Sequence, residues 1–309
     1  MKIVVSEFMD EAALAGFPET DRVLYAPGLV DDRAALLAEL SDADAIIVRN
    51  RTQVNTKLLT AAPGLKVVGR LGVGLDNIDL AACKDRGIEV CPATGANTLS
   101  VAEYVISAAL MLVRGAYGSA DDMCAGKWPR NALIGGEVSG RCLGLWGYGE
   151  IARAVAKRAQ ALGMDIAAHD PFVPAEDPAW SGIRRCETGD ELLACSDVLS
   201  LHVPLTDGTR NLIDAAAIVK MPKGAVLINT ARGGVVVETD VADALRTGQL
   251  GGAALDVFET EPLTEDAAQK FKDVPNLVLT PHIAGVTQEG NIRVSSVTVE
   301  NVKRVLQNG

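Results

Sequence analysis

The sequence predicts an α/β protein built from two doubly wound, Rossmann-like domains with a cleft between them. Three observations carry this. Short β-branched runs alternate with helical patterns, as in parallel sheets covered by helices on both faces. The alternation stops at a long helical stretch and then starts again. The chain has 309 residues, enough for two ordinary domains.

In the first block the strands read "KIVVS", "DAIIVR", "LKVVGR" and "IEVCP", with helices such as "RAALLAEL" and "NIDLAACKDRG" between them. A helical stretch from Asn97 to about Tyr117 breaks the rhythm. The second block supplies "CLGLWG", "DIAAHD", "IRRCE", "DVLSLHV", "AVLINT", "AALDV" and "NLVLTP". Its helices include "EIARAVAKRAQALG", "DELLACS" and "VADALRTG". This gives about four strands, then about seven. A last helix runs from about Gln288 to Leu306, placed to return to the first domain.

Composition removes several function classes. The formal charge is -11, which disfavours phosphate backbones and anionic lipid surfaces. It does not disfavour a small anionic substrate, because local basic groups decide that. The N-terminal "MKIVVSEFMD" reads as a strand followed by acids, not a signal peptide. The most apolar helix, "VAEYVISAALMLV", contains Glu103 and is too short to span a bilayer. Cys83, Cys91, Cys124, Cys142, Cys186 and Cys195 form no CxxC pair, so reduced thiols in a cytoplasmic protein are expected, with no metal site.

The chemistry begins at "CLGLWGYGEIARAVA". Gly147 and Gly149 follow a strand, and Ala152 takes the third small position inside the opening helix. The first glycine permits the tight turn, the second lets pyrophosphate approach the backbone, and the third small residue lets helix and strand pack closely. "RLGVGLDN" lacks that third residue. The next strand ends in Asp170, 21 residues after Gly149. An acid there can accept from both adenine-ribose hydroxyls and repels a 2′-phosphate, which points to NAD over NADP.

"INTARGG", residues 228–234, sets an arginine at the tip of a buried strand. A charge in that position needs a partner. The bland explanation is a nearby acid such as Glu238. The sharper one is a substrate carboxylate gripped by the planar guanidinium. Arg232, Asp256 and His282 all lie just past strand ends, where open α/β sheets bind ligands. Glu261 follows in "DVFETEPL". Histidine titrates near neutral pH and suits proton transfer from a hydroxyl; a carboxylate beside it fixes the tautomer and stabilises the imidazolium. Of the other two histidines, His169 is expected beside the adenosine, and His202 reads as positional rather than chemical.

The motifs "GRLGVGLDNID", "NTLSVAE", "GYGEIARAVA", "LHVPLT", "INTARGGVV", "AALDVFETEPL" and "TPHIAG" fall in the order of the D-2-hydroxyacid dehydrogenases, and over nearly its whole length the chain resembles that family, most closely its D-3-phosphoglycerate dehydrogenase branch. The resemblance implies NAD as cofactor and Arg232, Glu261 and His282 as the catalytic arginine, glutamate and histidine. It assigns Asp170 to the ribose and Asp256 to the nicotinamide amide. Other cofactor contacts are implied at Gly147, Tyr148, Gly149, Glu150 and Ile151, at His202, Val203 and Pro204, and at Thr230, Ala231, His282 and Gly285. Substrate contacts are implied at Arg49, Asn50, Arg70, Asn97, Arg232 and His282, with the amides of Val73 and Gly74, in the turn that begins at Gly72, cradling the carboxylate. Arg49 and Arg70 match arginines near the phosphate of phosphoglycerate, and Arg130 approximately matches one donated across a homodimer. Phe8 or Met9 is expected to shorten that tail pocket.

The resemblance also implies a split substrate-binding domain, residues 1–96 plus 287–309, and an NAD-binding domain, 97–286. Two departures stand out. Glu150 occupies a position where relatives often carry a basic or neutral residue, and Trp146 is bulky for its strand. Feedback through a C-terminal regulatory domain, which some phosphoglycerate dehydrogenases carry, is not expected. The reaction expected is hydride transfer between NAD and a D-2-hydroxy acid with a second anionic group, such as 3-phosphoglycerate or sulfolactate. The rival within the class is a glyoxylate or hydroxypyruvate reductase. The rival from another class is an NAD-sensing, corepressor-like binder.

Overall fold

The structure, a computed structural model, describes residues 1–308. Its contacts divide the chain into two units: Met1–Asn97 with the segment from Val286 onward, and Thr98–Gly285.

The first unit holds a five-stranded parallel sheet in the order β2-β1-β3-β4-β5. Its strands are β1 (Lys2–Val5), β2 (Arg22–Tyr25), β3 (Ala45–Val48), β4 (Val67–Arg70) and β5 (Glu89–Pro92). β2 exceeds the four strands expected. "RVLY" lies at the sheet edge with no fully buried residue, so it lacks the apolar run that marks the central strands. Side chains alternate between two cores, as the period of a strand requires. Ile3, Val5, Ile47 and Val67 pack with Val294, Val299, Val302 and Leu306 of the last helix, Gln288–Asn308. Val4, Ile46, Val48 and Val68 pack on the other face with Leu36, Leu58 and Leu59. The last helix therefore completes one whole face of the first sheet.

The second unit holds a seven-stranded parallel sheet in the order β12-β11-β10-β9-β6-β7-β8. Its strands are β6 (Cys142–Trp146), β7 (Asp165–His169), β8 (Arg184–Arg185), β9 (Val198–Leu201), β10 (Ala225–Asn229), β11 (Leu250–Leu255) and β12 (Leu277–Leu279). Helices Thr98–Arg114 and Glu150–Ala161 cover one face. Helices Gly189–Cys195, Ala215–Val219 and Glu238–Thr247 cover the other. The long helix stops at Arg114, short of Tyr117. Gly115 follows at φ 63°, a left-handed position that glycine adopts without Cβ strain, and its N–H caps the Met111 carbonyl.

Chain order reverses between β9 and β6 in the second sheet and between β1 and β3 in the first. At such switch points the loops leaving adjacent strands diverge and open a crevice beyond their carboxyl ends. Gly147 and His202 leave the second switch point, and Glu7 and Arg49 leave the first. Among the described residues, no helix is long and apolar enough to cross a membrane, and no group of acids, histidines and cysteines could hold a metal ion.

The last helix approaches β4 closely because Gly69 has no side chain. A Cβ there would lie 2.6 Å from Val302 Cγ2 and 2.9 Å from Thr298 Cγ2, both on stiff β-branched residues. Overpacking of this kind costs about 1–3 kcal/mol. Gly69→Ala is expected to lower the unfolding free energy by that amount, read as a fall in the urea midpoint at unchanged slope, and an unchanged midpoint would show that the helix shifts freely.

Candidate active site

The turn after β6 has the shape of a phosphate cradle. Gly147 sits at φ 86°, and a Cβ on it would lie 2.5 Å from the His202 carbonyl oxygen. Only glycine fits there. Gly149 precedes the helix Glu150–Ala161, and a Cβ on it would meet nothing, so the first-turn amides of that helix face open space. Val203 closes the other side of the turn, its Cγ1 3.2 Å from where a Gly147 Cβ would stand. The Tyr148 ring points into the core. It is stacked on Trp180 at 4.9 Å, so only the backbone of Tyr148 is available to a ligand. Glu150 is exposed in the first turn, where water screens its charge. Trp146 is accommodated by Gly189, whose Cβ would lie 2.3 Å from the indole, and its ring meets His169 edge-on at 5.8 Å.

Asp170 is partly engaged already. Its Oδ2 accepts from the Tyr148 N–H at 2.8 Å and its Oδ1 from the Phe172 N–H at 2.9 Å. These bonds fix the carboxylate beside the glycine turn, and a carboxylate still has lone pairs to spare for two hydroxyls. His169 is held through Nδ1 by the Cys186 carbonyl at 3.0 Å. His202 is kept neutral, because desolvation pulls its pKa down to about 4; its Nε2 meets Ser200 Oγ at 3.0 Å. On β10's exit, Thr230 Oγ1 is a buried polar atom with no hydrogen-bond partner among the described residues. Such an atom marks a place where a ligand group or water completes the bonding. The cradle, the acid and the orphan hydroxyl together fit a dinucleotide.

Arg232 lies in a tightly bonded bend. Asn229 Oδ1 accepts from the Ala231 N–H at 3.0 Å, and its Nδ2 donates to the Arg232 carbonyl at 3.0 Å. Gly233 passes so close to the Phe258 carbonyl that a Cβ would be 1.8 Å from it. Arg232 has partners within the chain, and Glu238 is not one of those seen. The Arg232 Nη1 donates to the Ala231 carbonyl at 2.6 Å, and its charge acts on Glu261. Glu238 is taken up by Lys270 at 2.6 Å and by the Glu259 N–H at 2.7 Å.

His282 and Glu261 form a pair. The imidazole Nδ1 lies 2.7 Å from Glu261 Oε2, and Oε1 of the same carboxylate accepts from the Phe258 N–H at 3.0 Å. With Nδ1 committed to the carboxylate, Nε2 is the nitrogen left for a substrate. His282 has φ 56°, unusual for a residue with a side chain. Asp256 enforces it. This buried carboxylate accepts from Thr280 Oγ1 at 2.6 Å and from the Ile283 and Ala284 N–H groups at 2.8 Å each. Its backbone carbonyl accepts from the His282 N–H at 2.8 Å. Asp256 thus holds the loop from Thr280 to Gly285 that carries His282, a role the sequence pattern does not reveal. The Thr280 hydroxyl also meets Tyr104 Oη at 2.6 Å.

In the first unit a second buried carboxylate does similar work. Glu7 is 4% exposed and accepts from the N–H groups of Arg49, Asn50, Arg51 and Thr52. Nothing in "SEFMD" singled it out. Arg49 is partly buried, lies 5.9 Å from the Phe8 ring and donates to Asn291 Oδ1 at 2.9 Å. Met9 goes into the core, 1% exposed, and cannot shorten a ligand pocket; Phe8 is exposed. Arg70 donates to the Leu71 carbonyl and fills the space beside Gly72, which sits at φ 137°. Val73 is exposed, and Asn97 Oδ1 is a second buried acceptor with no partner among the described residues. Arg130 is exposed.

Burial works to raise the Glu261 pKa. The hydrogen bond from His282, the Phe258 N–H and the charges of His282 and Arg232 outweigh it, so the carboxyl titrates below its ordinary value. Its contribution to stability is then complete above the unfolded-state pKa and is lost as pH falls through the lower, folded one. In His282→Ala the main opposing hydrogen bond disappears while burial remains. The Glu261 titration, followed by carbon-13 NMR of its carboxyl, is expected to move upward in that variant; an unmoved titration would mean the imidazole does not act on it.

Residues 106–284 match the family model for the NAD binding domain of D-isomer specific 2-hydroxyacid dehydrogenases. Over 304 residues the chain is 55% identical to a (S)-sulfolactate dehydrogenase of Chromohalobacter salexigens, covering 98% of each protein. It is 36% identical over 307 residues to a D-3-phosphoglycerate dehydrogenase of Methanocaldococcus jannaschii, covering 99% of this chain but 58% of that protein. Among solved structures it is similar to D-lactate dehydrogenase from Aquifex aeolicus complexed with NAD and lactic acid, with a TM-score of 0.84, 30% identity and coverage of 100% of this chain and 96% of the other.

Proposed function

We propose a substrate and a set of residue roles from the premise that this chain belongs to the D-isomer-specific 2-hydroxyacid dehydrogenase family. It is an NAD-dependent oxidoreductase acting on CH–OH groups. Our reading is oxidation of 3-sulfolactate to 3-sulfopyruvate and the reverse reduction.

The observation that carries the chemistry is the 2.7 Å contact between His282 Nδ1 and Glu261 Oε2. It leaves Nε2 as the base for the C2 hydroxyl proton. NAD, when bound, supplies the acceptor for the hydride from C2. As the proton arrives, Glu261 stabilises the positive imidazolium and keeps the ring in one orientation. Arg232 grips the carboxylate and polarises the forming carbonyl. Gly147, Gly149, Asp170 and Thr230 hold the dinucleotide, with the backbone of Tyr148, Glu150, Ile151, His202, Val203, Pro204, Ala231 and Gly285 around it. For the substrate we assign the amides of Val73 and Gly74 to the carboxylate and Asn97 and Asn50 to polar contacts. Arg49 and Arg70 we assign to the anionic tail. Residues 1–97 with the final helix serve as the substrate-binding part, and 98–285 as the NAD-binding part.

The sulfonate is favoured over other tails by the 55% identity to an enzyme that carries that substrate's name. Stereochemistry agrees. In D-lactate the carboxylate outranks the methyl group and the centre is R. In sulfolactate the sulfur-bearing carbon outranks the carboxylate, so the same spatial arrangement is labelled S. A site built for D-2-hydroxy acids therefore takes (S)-sulfolactate without inversion.

A panel of 2-oxo acids that differ only in the tail, each with NADH and NADPH, tests this. The sulfonate is expected to exceed hydroxyl and alkyl tails in kcat/KM by roughly tenfold or more, NADH is expected to be preferred, and His282→Ala is expected to lower kcat by about 10²–10⁴. Arg49→Ala and Arg70→Ala should raise KM for the sulfonate and spare pyruvate. Preference for hydroxyl or alkyl tails would make it a glyoxylate or hydroxypyruvate reductase, preference for a phosphate tail would make it a phosphoglycerate dehydrogenase, and no turnover at all would favour the NAD-sensing binder.

We also place the protein in the cytoplasm as a homodimer. Tyr117, Trp128 and Ile134 lie in one segment at 71%, 76% and 78% exposure, and three large apolar side chains left so open support a partner surface there. Arg130 sits in that segment. Sedimentation at micromolar concentration should give twice the mass of one chain, and Trp128→Glu with Ile134→Glu should shift it toward one. A monomeric wild-type protein would end this reading.

A further inference from the structure

Cys142 and Cys195 meet at the opposite end of β6 from the Gly147 turn. Their proximity follows from backbone contacts. Asp197, at the entry to β9, donates its N–H to the Cys142 carbonyl at 3.0 Å and accepts the Cys142 N–H on its carboxylate at 2.9 Å. Cys195 ends the helix Gly189–Cys195, two residues earlier. That helix end presses on the same face of β6 that Cys142 occupies. Gly144, two residues along the strand, makes room for it, since a Cβ there would be 1.9 Å from Ser196 Oγ. Cys142 and Cys195 both line a surface recess of ≈ 620 Å³, together with Arg184 and Asp165. Cys186 is 2% exposed and packs inside the core.

We propose that Cys142 and Cys195 are a redox-active dithiol, with Cys195 as the attacking thiol and a hydroperoxide as the oxidant. The Cys195 thiolate attacks one peroxide oxygen. The O–O bond breaks, leaving a sulfenic acid on Cys195 and releasing hydroxide, or alkoxide from an organic peroxide. The Cys142 sulfur then attacks the sulfenic sulfur, the S–O bond breaks, and the departing hydroxyl leaves as water with the Cys142 proton. A disulfide forms, and the peroxide gains the two electrons the thiols lose.

The roles follow from the surroundings. A hydrogen bond from Cys142 favours the Cys195 thiolate against the opposing effect of burial, and Arg184 adds to it, so the Cys195 pKa is held below the ordinary thiol value. The Cys142 pKa is raised, first by that hydrogen bond and then by burial, so Cys142 stays protonated until it acts as the resolving thiol. Burial pushes the Cys186 thiol up to about 11 and removes it from the reaction. N-acetylcysteine treated in parallel gives the rate of unassisted oxidation.

The test treats the whole protein with stoichiometric hydrogen peroxide near neutral pH, blocks residual thiols with N-ethylmaleimide and maps peptides by mass spectrometry. A peptide pair joined through Cys142 and Cys195, two hydrogens lighter than its parts and separated by dithiothreitol, is expected. Cys195 should be consumed roughly tenfold faster than N-acetylcysteine. In Cys142→Ser, dimedone should trap the Cys195 sulfenic acid. Wild-type protein suffices to overturn the proposal. It fails if both thiols are recovered alkylated, if Cys195 goes to sulfinic acid with Cys142 still reduced, or if Cys195 reacts no faster than N-acetylcysteine.

Discussion

Asp256 holds its carboxylate out of water and fills it with three donors, the Thr280 hydroxyl and the Ile283 and Ala284 amides. A buried carboxylate left short of donors costs several kcal/mol, so the loop has one way to fold around it. That fold forces His282 to φ 56° and delivers its Nδ1 to Glu261. Backbone strain of this size persists only where the surroundings over-determine it. The His282–Glu261 pair depends on a residue that touches neither member through its side chain.

The first unit uses the same device on a different topology. Glu7 gathers four successive amides from Arg49 to Thr52, as a helix N-terminus would gather around an anion. The effect is to set Arg49 at the carboxyl end of β3 with its guanidinium tied to Asn291 of the last helix. In both units a carboxylate contributed by one strand's exit loop fixes a basic residue on a nearby loop. Rigid loops at strand ends are what proton transfer and anion recognition require, because a misplacement of an ångström is costly.

β6 carries two kinds of chemistry at its two ends. At the carboxyl end the backbone is shaped by what side chains would obstruct, so Gly147 is forced by the His202 carbonyl and Trp146 is tolerated because Gly189 gives way. At the amino end a small residue again admits a neighbour, since Gly144 lets the end of the helix Gly189–Cys195 come down beside Cys142. The same helix packs on Trp146 at its start and carries Cys195 at its finish.

By itself the sequence determined the parallel α/β class, the seven strands of the second sheet, the glycine turn with its acid, and the types of residue needed for hydride chemistry. These are local properties. Apolar runs, glycine spacing and strand-end polar residues are set over a few neighbours, so they can be read along the chain. The edge strand Arg22–Tyr25 escaped because an edge buries little and so needs no apolar run. Tertiary structure decided the rest. Tyr148 turns into the core, Met9 leaves the ligand region, Arg232 gains partners within the chain, and Asp256 and Glu7 become loop anchors. Each of these depends on atoms brought together from distant positions. The hydrogen-bond demand of a buried polar group fixes that a partner must exist, while only the folded chain selects which one.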